Sequence, residues 1–129
     1  ANEVVVLRMQ AYERLALFLE RMQPNNLLLR VQQKNMKSMS LHASLMQTIR
    51  SEYDHNMSQQ VYVSDEAWKL INQAKDQLLN LINEQVPMVD PKSDAMELCS
   101  LIIQGSKENH KWLIDEALIF LKNELRENY

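Results

Sequence analysis

A single glycine and three prolines in 129 residues constrain this chain more than any other feature it has. Sheets need tight turns, and tight turns draw on residues that tolerate positive φ or fix it in advance. Gly105, Pro24, Pro87 and Pro91 are too few for a sandwich or a barrel. The same scarcity removes the phosphate loops of P-loop and dinucleotide-binding proteins, which need several glycines close together. An all-α fold remains. Composition agrees: 46% hydrophobic and 24% charged residues is the balance of a folded protein, not of a disordered tail. The length suits one helical domain over residues 1–129. Surface scaling gives about 7,000 Å² exposed when folded against about 22,000 Å² for the extended chain, enough burial for a core without staples. Cys99, the single cysteine, excludes an intrachain disulfide and any CxxC zinc or redox motif.

Start and stop signals divide the chain into five or six helices, read as an antiparallel bundle or, alternatively, as stacked α-hairpins. The first covers residues 3–22, with Tyr12, Leu15, Leu19 and Met22 in one stripe widened by Ala11, Ala16 and Phe18. No capping residue stands out before Val4, so the helix is expected to extend upstream. Pro24 ends it, and Asn25 and Asn26 lead into a short second helix. Ser38 or Ser40 opens a third, carrying Leu41, Leu45, Ile49 and Tyr53. Val61, Tyr62 and Val63 read as a brief extended connector. Ser64 with Asp65 and Glu66 starts the fourth helix, which stops before Pro87. Asp90-Pro91 is expected to start the fifth, by an acidic cap with proline at the first helical position. Ser106 or Asn109 is expected to open the sixth.

Charge is unevenly spread. Residues 1–50 hold seven Lys/Arg and three acids, a net of +4, while residues 51–129 carry −7. Between Glu20 and Glu52 there is no acid, yet Arg21, Arg30, Lys34, Lys37 and Arg50 fall there. Such a face either packs against the acidic half, remains solvated, or meets an anionic partner such as lipid head groups or an acidic protein surface. Nucleic acid is disfavoured by the overall net charge of −3 and by 6% aromatics. Asn56, Ser58, Gln59 and Gln60 form an uncharged hydrogen-bonding patch. It reads either as a recognition loop or as side chains that satisfy orphan groups at two helix ends.

Glu52 and His55, three residues apart, are the only spacing suggestive of a metal, as in di-iron helical bundles. Such a site needs a second Glu-x-x-His, and His42 and His110 follow Met39 and Lys107 instead. No metal site and no cofactor is therefore expected. Cys99 falls on an apolar stripe, where a buried inert thiol is the usual finding. Met36, Met39, Met46 and Met57 read by default as core filling, the alternative being a pliable thioether surface that accepts a partner helix.

Two stretches carry a resemblance. One runs from Ala11-Tyr12-Glu13-Arg14-Leu15 through Leu17-Phe18-Leu19-Glu20-Arg21 to Pro24-Asn25-Asn26-Leu27. The other runs from Glu52-Tyr53-Asp54-His55 through Val61-Tyr62-Val63-Ser64, followed by Trp68. Together they resemble a family of small, uncharacterised bacterial proteins with an N-terminal membrane anchor and a helical cytoplasmic domain, over residues 4–82. The resemblance implies a domain at the cytoplasmic face of a membrane, with its basic half near the inner leaflet, and supplies no activity. The expectation is a non-enzymatic interaction or scaffold domain that binds a protein partner or itself. Its expected contacts are Arg21, Arg30, Lys34, Lys37, Asn56, Ser58, Gln59 and Gln60. The alternatives are a metal-dependent helical enzyme using Glu52 and His55, and a purely structural oligomer.

Overall fold

A computed structural model describes residues 2–129. Six α-helices follow one another: α1 (Glu3–Met22), α2 (Pro24–Val31), α3 (Ser38–Asn56), α4 (Asp65–Gln85), α5 (Ala95–Glu108) and α6 (Leu113–Asn128). No strand occurs among the described residues. Short 3-10 turns, Met57–Tyr62 and Val86–Met88, follow α3 and α4. The expected stripes face inward. Leu15, Leu19 and Met22 of α1, Leu41 and Leu45 of α3, Ile71, Leu78 and Ile82 of α4, and Leu98 of α5 are all fully buried in one core.

Paired side chains set the directions. Tyr12 meets Glu124 and Gln23 meets Asp115, so α6 runs antiparallel to α1. Ser64 meets Glu124 and Gln77 meets Leu113, so α4 is antiparallel to α6 as well. Arg21 meets Glu52, while Arg14 and Phe18 line a groove with His55 and Asn56, so α3 is antiparallel to α1. The shorter helices α2 and α5 pack on α3 and on each other. The architecture is thus an antiparallel bundle, as the sequence suggests.

Helix ends account for most of the departures from the sequence reading. Asn2 caps α1, its Oδ1 accepting from the Val5 N–H at 2.9 Å, in an extended conformation that starts the helix at Glu3. Pro24 both follows α1 and occupies the first turn of α2, where its missing N–H costs nothing. α3 starts at Ser38 as expected, but no serine hydroxyl caps it. Its first N–H groups go to the partner segment instead: Ser38 donates to the Ser93 carbonyl at 2.9 Å and Met39 to the Pro91 carbonyl at 3.0 Å. In return, the Ala95 N–H donates to the Met36 carbonyl at 3.0 Å. The two helix starts therefore cap one another through an isolated antiparallel bridge between Lys37 and Asp94, with the hydroxyls of the buried Ser38 and the half-buried Ser93 2.8 Å apart beside it.

That bridge explains why Asp90-Pro91 does not open α5. Residues 91–93 form a turn that aims the Pro91 and Ser93 carbonyls at the start of α3 while Asp94 pairs with Lys37, so the helix begins behind Asp94, whose Oδ1 accepts from Met96 at 2.8 Å. Asp90 instead closes a turn, accepting from the Lys92 N–H at 2.7 Å. The expected extended connector is mostly a 3-10 turn, with only Val63 extended; tightening of this kind is common where an α-helix ends.

Two surfaces stay apolar. Burial in α1 begins at Ala11, and Val4, Val6, Leu7 and Met9 ahead of it are 38–55% exposed. This protruding end adds to a total accessible surface of 7950 Å², above the roughly 7,000 Å² of a compact chain. At the opposite end Met39, Met88 and Met96 are more than half exposed. Met36 and Met46 are partly buried and pack against the core as expected, whereas Met39 and Met57 are exposed, which corrects the core-filling expectation for those two. No helix among the described residues is long and apolar enough to cross a membrane.

Candidate functional site

The residues singled out in the sequence do not form one patch. Arg21 and Arg30 converge on Glu52: Arg21 Nε lies 2.7 Å from one carboxylate oxygen and Arg30 Nη2 3.2 Å from the other. Arg30 also donates to the Arg21 carbonyl at 2.8 Å, closing α2 onto the end of α1. Lys34 and Lys37 lie elsewhere, on the loop before α3. With α3 antiparallel to α1, they stand about 20 Å of helix beyond the Arg21–Glu52 pair, whereas Val4 stands about 25 Å away in the other direction. The basic residues are therefore strung along the molecule and not gathered at the α1 N-terminus, where a leader would attach. Asn56, Ser58, Gln59 and Gln60 sit at that N-terminal end of the bundle. Of the four, Asn56 has a structural role, donating to the Glu52 carbonyl at 2.7 Å; Ser58 and Gln60 are exposed.

The Glu-x-x-His spacing does not assemble a metal centre. Glu52 is occupied by two guanidinium groups, His55 is exposed, and no cluster of three metal-ligating side chains occurs among the described residues.

Arg21, Glu52, His55 and Asn56 do meet in a groove of about 340 Å³ between α1 and α3. Its other walls are Arg14, Leu17, Phe18 and Ser51. Phe18 is buried, but Leu17 is 59% exposed, so an apolar strip lies between cations. Arg14 makes no ion pair among the described residues. With Glu52 already balanced, the groove is net positive. Sequence reasoning passed over Arg14 and Leu17, although a signal existed. Arg14, Leu17 and Arg21 share one face of α1 at spacings of three and seven, opposite the stripe of Leu15, Leu19 and Met22.

On the other side of α3 lies an aromatic cluster. Tyr53 stacks on Trp68 with ring centres 5.6 Å apart and planes 25° apart, and Phe18 approaches it at 6.3 Å. Lys75 Nζ lies 3.8 Å from the centre of the Tyr53 ring, a cation–π contact, and the Tyr53 hydroxyl donates to Asn72 Oδ1 at 2.6 Å. Burial pushes the Tyr53 phenol up from its ordinary value. It does the same to the Cys99 thiol, which is free and buried in α5 as the stripe implied. Neither group is poised for nucleophilic chemistry at neutral pH.

A second polar centre is structural. Glu124 of α6 accepts from the Tyr12 hydroxyl of α1 and from the Ser64 hydroxyl, at 2.8 and 2.7 Å to its two oxygens. The same Ser64 oxygen caps α4 by accepting from the Ala67 N–H. Three helices are thereby tied at one carboxylate.

No curated protein and no solved structure matches the chain. One family model does, over residues 1–128, and by that match the chain belongs to a family of unknown function, DUF7935.

Proposed function

We infer that the domain is a non-enzymatic interaction module that docks an acidic segment of a protein partner in the groove between α1 and α3. The observation that carries this reading is the groove's combination of an exposed apolar residue, Leu17, with Arg14 and Arg21 at its rim. An apolar anchor flanked by cations suits a short segment with one apolar side chain between carboxylates, because the charges steer encounter and the buried anchor holds it.

The same reading holds the domain at the cytoplasmic face of a membrane. Support comes from the resemblance and from the protruding α1 end, where Val4, Val6, Leu7 and Met9 present apolar surface in several directions. That surface also suits pairing with a second copy, which light scattering over a dilution series separates from vesicle binding.

A photo-crosslinking side chain placed at Leu17 of the full-length protein in its own cells tests the groove, with one at the still more exposed Leu29 as control. The expected result is a discrete adduct from position 17 that maps to an acidic segment and disappears with Arg14→Glu. An adduct that survives Arg14→Glu, or arises only from position 29, would move the interface off this groove.

A further inference from the structure

A second cavity, of about 310 Å³, opens between α3 and α4 on the far side of α3 from the docking groove. Met46, Ile49 and Leu79 line it, together with the edge of Tyr53; Arg50, Lys75 and Asn83 complete its wall. We propose that this cleft binds a small aliphatic carboxylate, with its chain against Met46, Ile49 and Leu79 and its carboxylate between Arg50 and Lys75.

Charge carries the assignment. Arg50 has neither an ion pair nor a hydrogen-bond partner among the described residues. Lys75 is held in place by the Tyr53 ring at 3.8 Å, and the one carboxylate near it is Asp76 at 3.7 Å, itself 64% exposed. A lysine fixed over an aromatic face, in a cleft with an apolar lining and with only an exposed aspartate beside it, is pre-organised to take a further anion. Asn83 adds a further donor, since its Oδ1 is taken by His42 Nε2 at 2.9 Å and its amide N–H groups are left over. The apolar lining argues against inorganic phosphate, whose hydrated surface gains nothing there. The volume holds about ten methylene-sized groups at roughly 30 Å³ each, near the lower limit of small-molecule sites. That is the size of octanoate or decanoate.

Trp68 stacks on Tyr53 and so reports on the cleft by fluorescence. Titration of the whole domain with decanoate, below its micelle concentration, should give saturable 1:1 binding. Arg50→Gln and Lys75→Met should each weaken it about tenfold, the usual worth of one charge-assisted contact. Leu79→Trp should abolish it by filling the cleft, with the melting temperature read in parallel so that loss of fold is not mistaken for loss of binding. Arg14→Glu should leave it unchanged, because the docking groove is separate, so this site and that one can fail independently. Decanol binding as tightly as decanoate, phosphate competing equally, uptake that never saturates, or full binding by Leu79→Trp would each overturn the proposal.

Discussion

Gln77, in the middle of α4, caps the first turn of α6: its Oε1 accepts the Leu113 N–H at 2.8 Å while its Nε2 donates to the Lys111 carbonyl at 2.8 Å. One amide thus satisfies both an orphan helix N–H and the carbonyl just ahead of it. A helix start left without a partner costs about 1 kcal/mol or more. Gln77→Ala should therefore lower stability by about 1–2 kcal/mol in chemical denaturation. Gln77→Glu, which keeps the acceptor but sets a carboxylate oxygen against the Lys111 carbonyl, should recover only part of it. Equal stability of all three proteins would show that water caps α6 as well as Gln77 does.

The cap also shows where sequence reading stops. Start signals are local, and for α4 the local signal is right: Ser64 caps through its own hydroxyl. For α6 the nearest polar residues, Ser106 and Asn109, invite the same reading. Yet α5 continues through Ser106 to Glu108 with Asn109 as its C-cap, and a glutamine 36 residues before Leu113 supplies the α6 cap. Asp94 displaced Asp90 for a related reason, because backbone pairing with residues 36–39 holds the turn at residues 91–93 out of the helix. The helical stripes were legible since burial repeats with the helix period. The candidate site was less so. That Arg21, Arg30 and Glu52 share one ion-pair cluster depends on α1, α2 and α3 meeting, which no spacing encodes.

Glu52 controls the charge of the docking groove. Glu52→Gln frees two guanidinium groups at once. The loss in stability should stay below about 1 kcal/mol, as Arg21 is 45% exposed and exposed pairs contribute little. Affinity for an acidic segment should instead rise severalfold at low salt and converge with wild type at high salt, where charges are screened. Isothermal titration of the crosslinked partner segment at two ionic strengths reads both effects. A fall in affinity would mean that Glu52 itself contacts the partner.

Tyr12 gives the fold an alkaline limit. Burial first, and then the Glu124 carboxylate to which its hydroxyl donates, push the phenol well above its ordinary value. A phenol that ionises less readily folded than unfolded contributes stability that is intact below about pH 10 and is lost as pH rises toward the folded value. Melting temperature should therefore decline above about pH 10. Tyr53 adds to the same decline, so the diagnostic is the difference from Tyr12→Phe. That variant should melt lower at neutral pH, by about 1–2 kcal/mol for the lost bond to a carboxylate, yet fall less steeply in alkali. Parallel alkaline limbs would show that the Tyr12 hydroxyl reaches solvent in the folded state.

Gly105, the only glycine, sits inside α5 at ordinary negative φ, so backbone conformation does not require it. Contact does: a Cβ there would lie 2.5 Å from Leu81 Cδ1 of α4. Two terms oppose each other in Gly105→Ala. Helix propensity favours alanine by about 1 kcal/mol, whereas Leu81, itself 5% exposed, must leave its rotamer at a cost of about 1–3 kcal/mol typical of overpacking. The single substitution should thus be neutral to destabilising. In a Leu81→Ala background the obstruction is gone and only propensity acts, so the same substitution should stabilise by about 0.5–1 kcal/mol. The double-mutant cycle should give a coupling energy above about 1 kcal/mol. Coupling near zero would mean that α4 and α5 are not held apart by this contact, and that Gly105 answers to something other than Leu81.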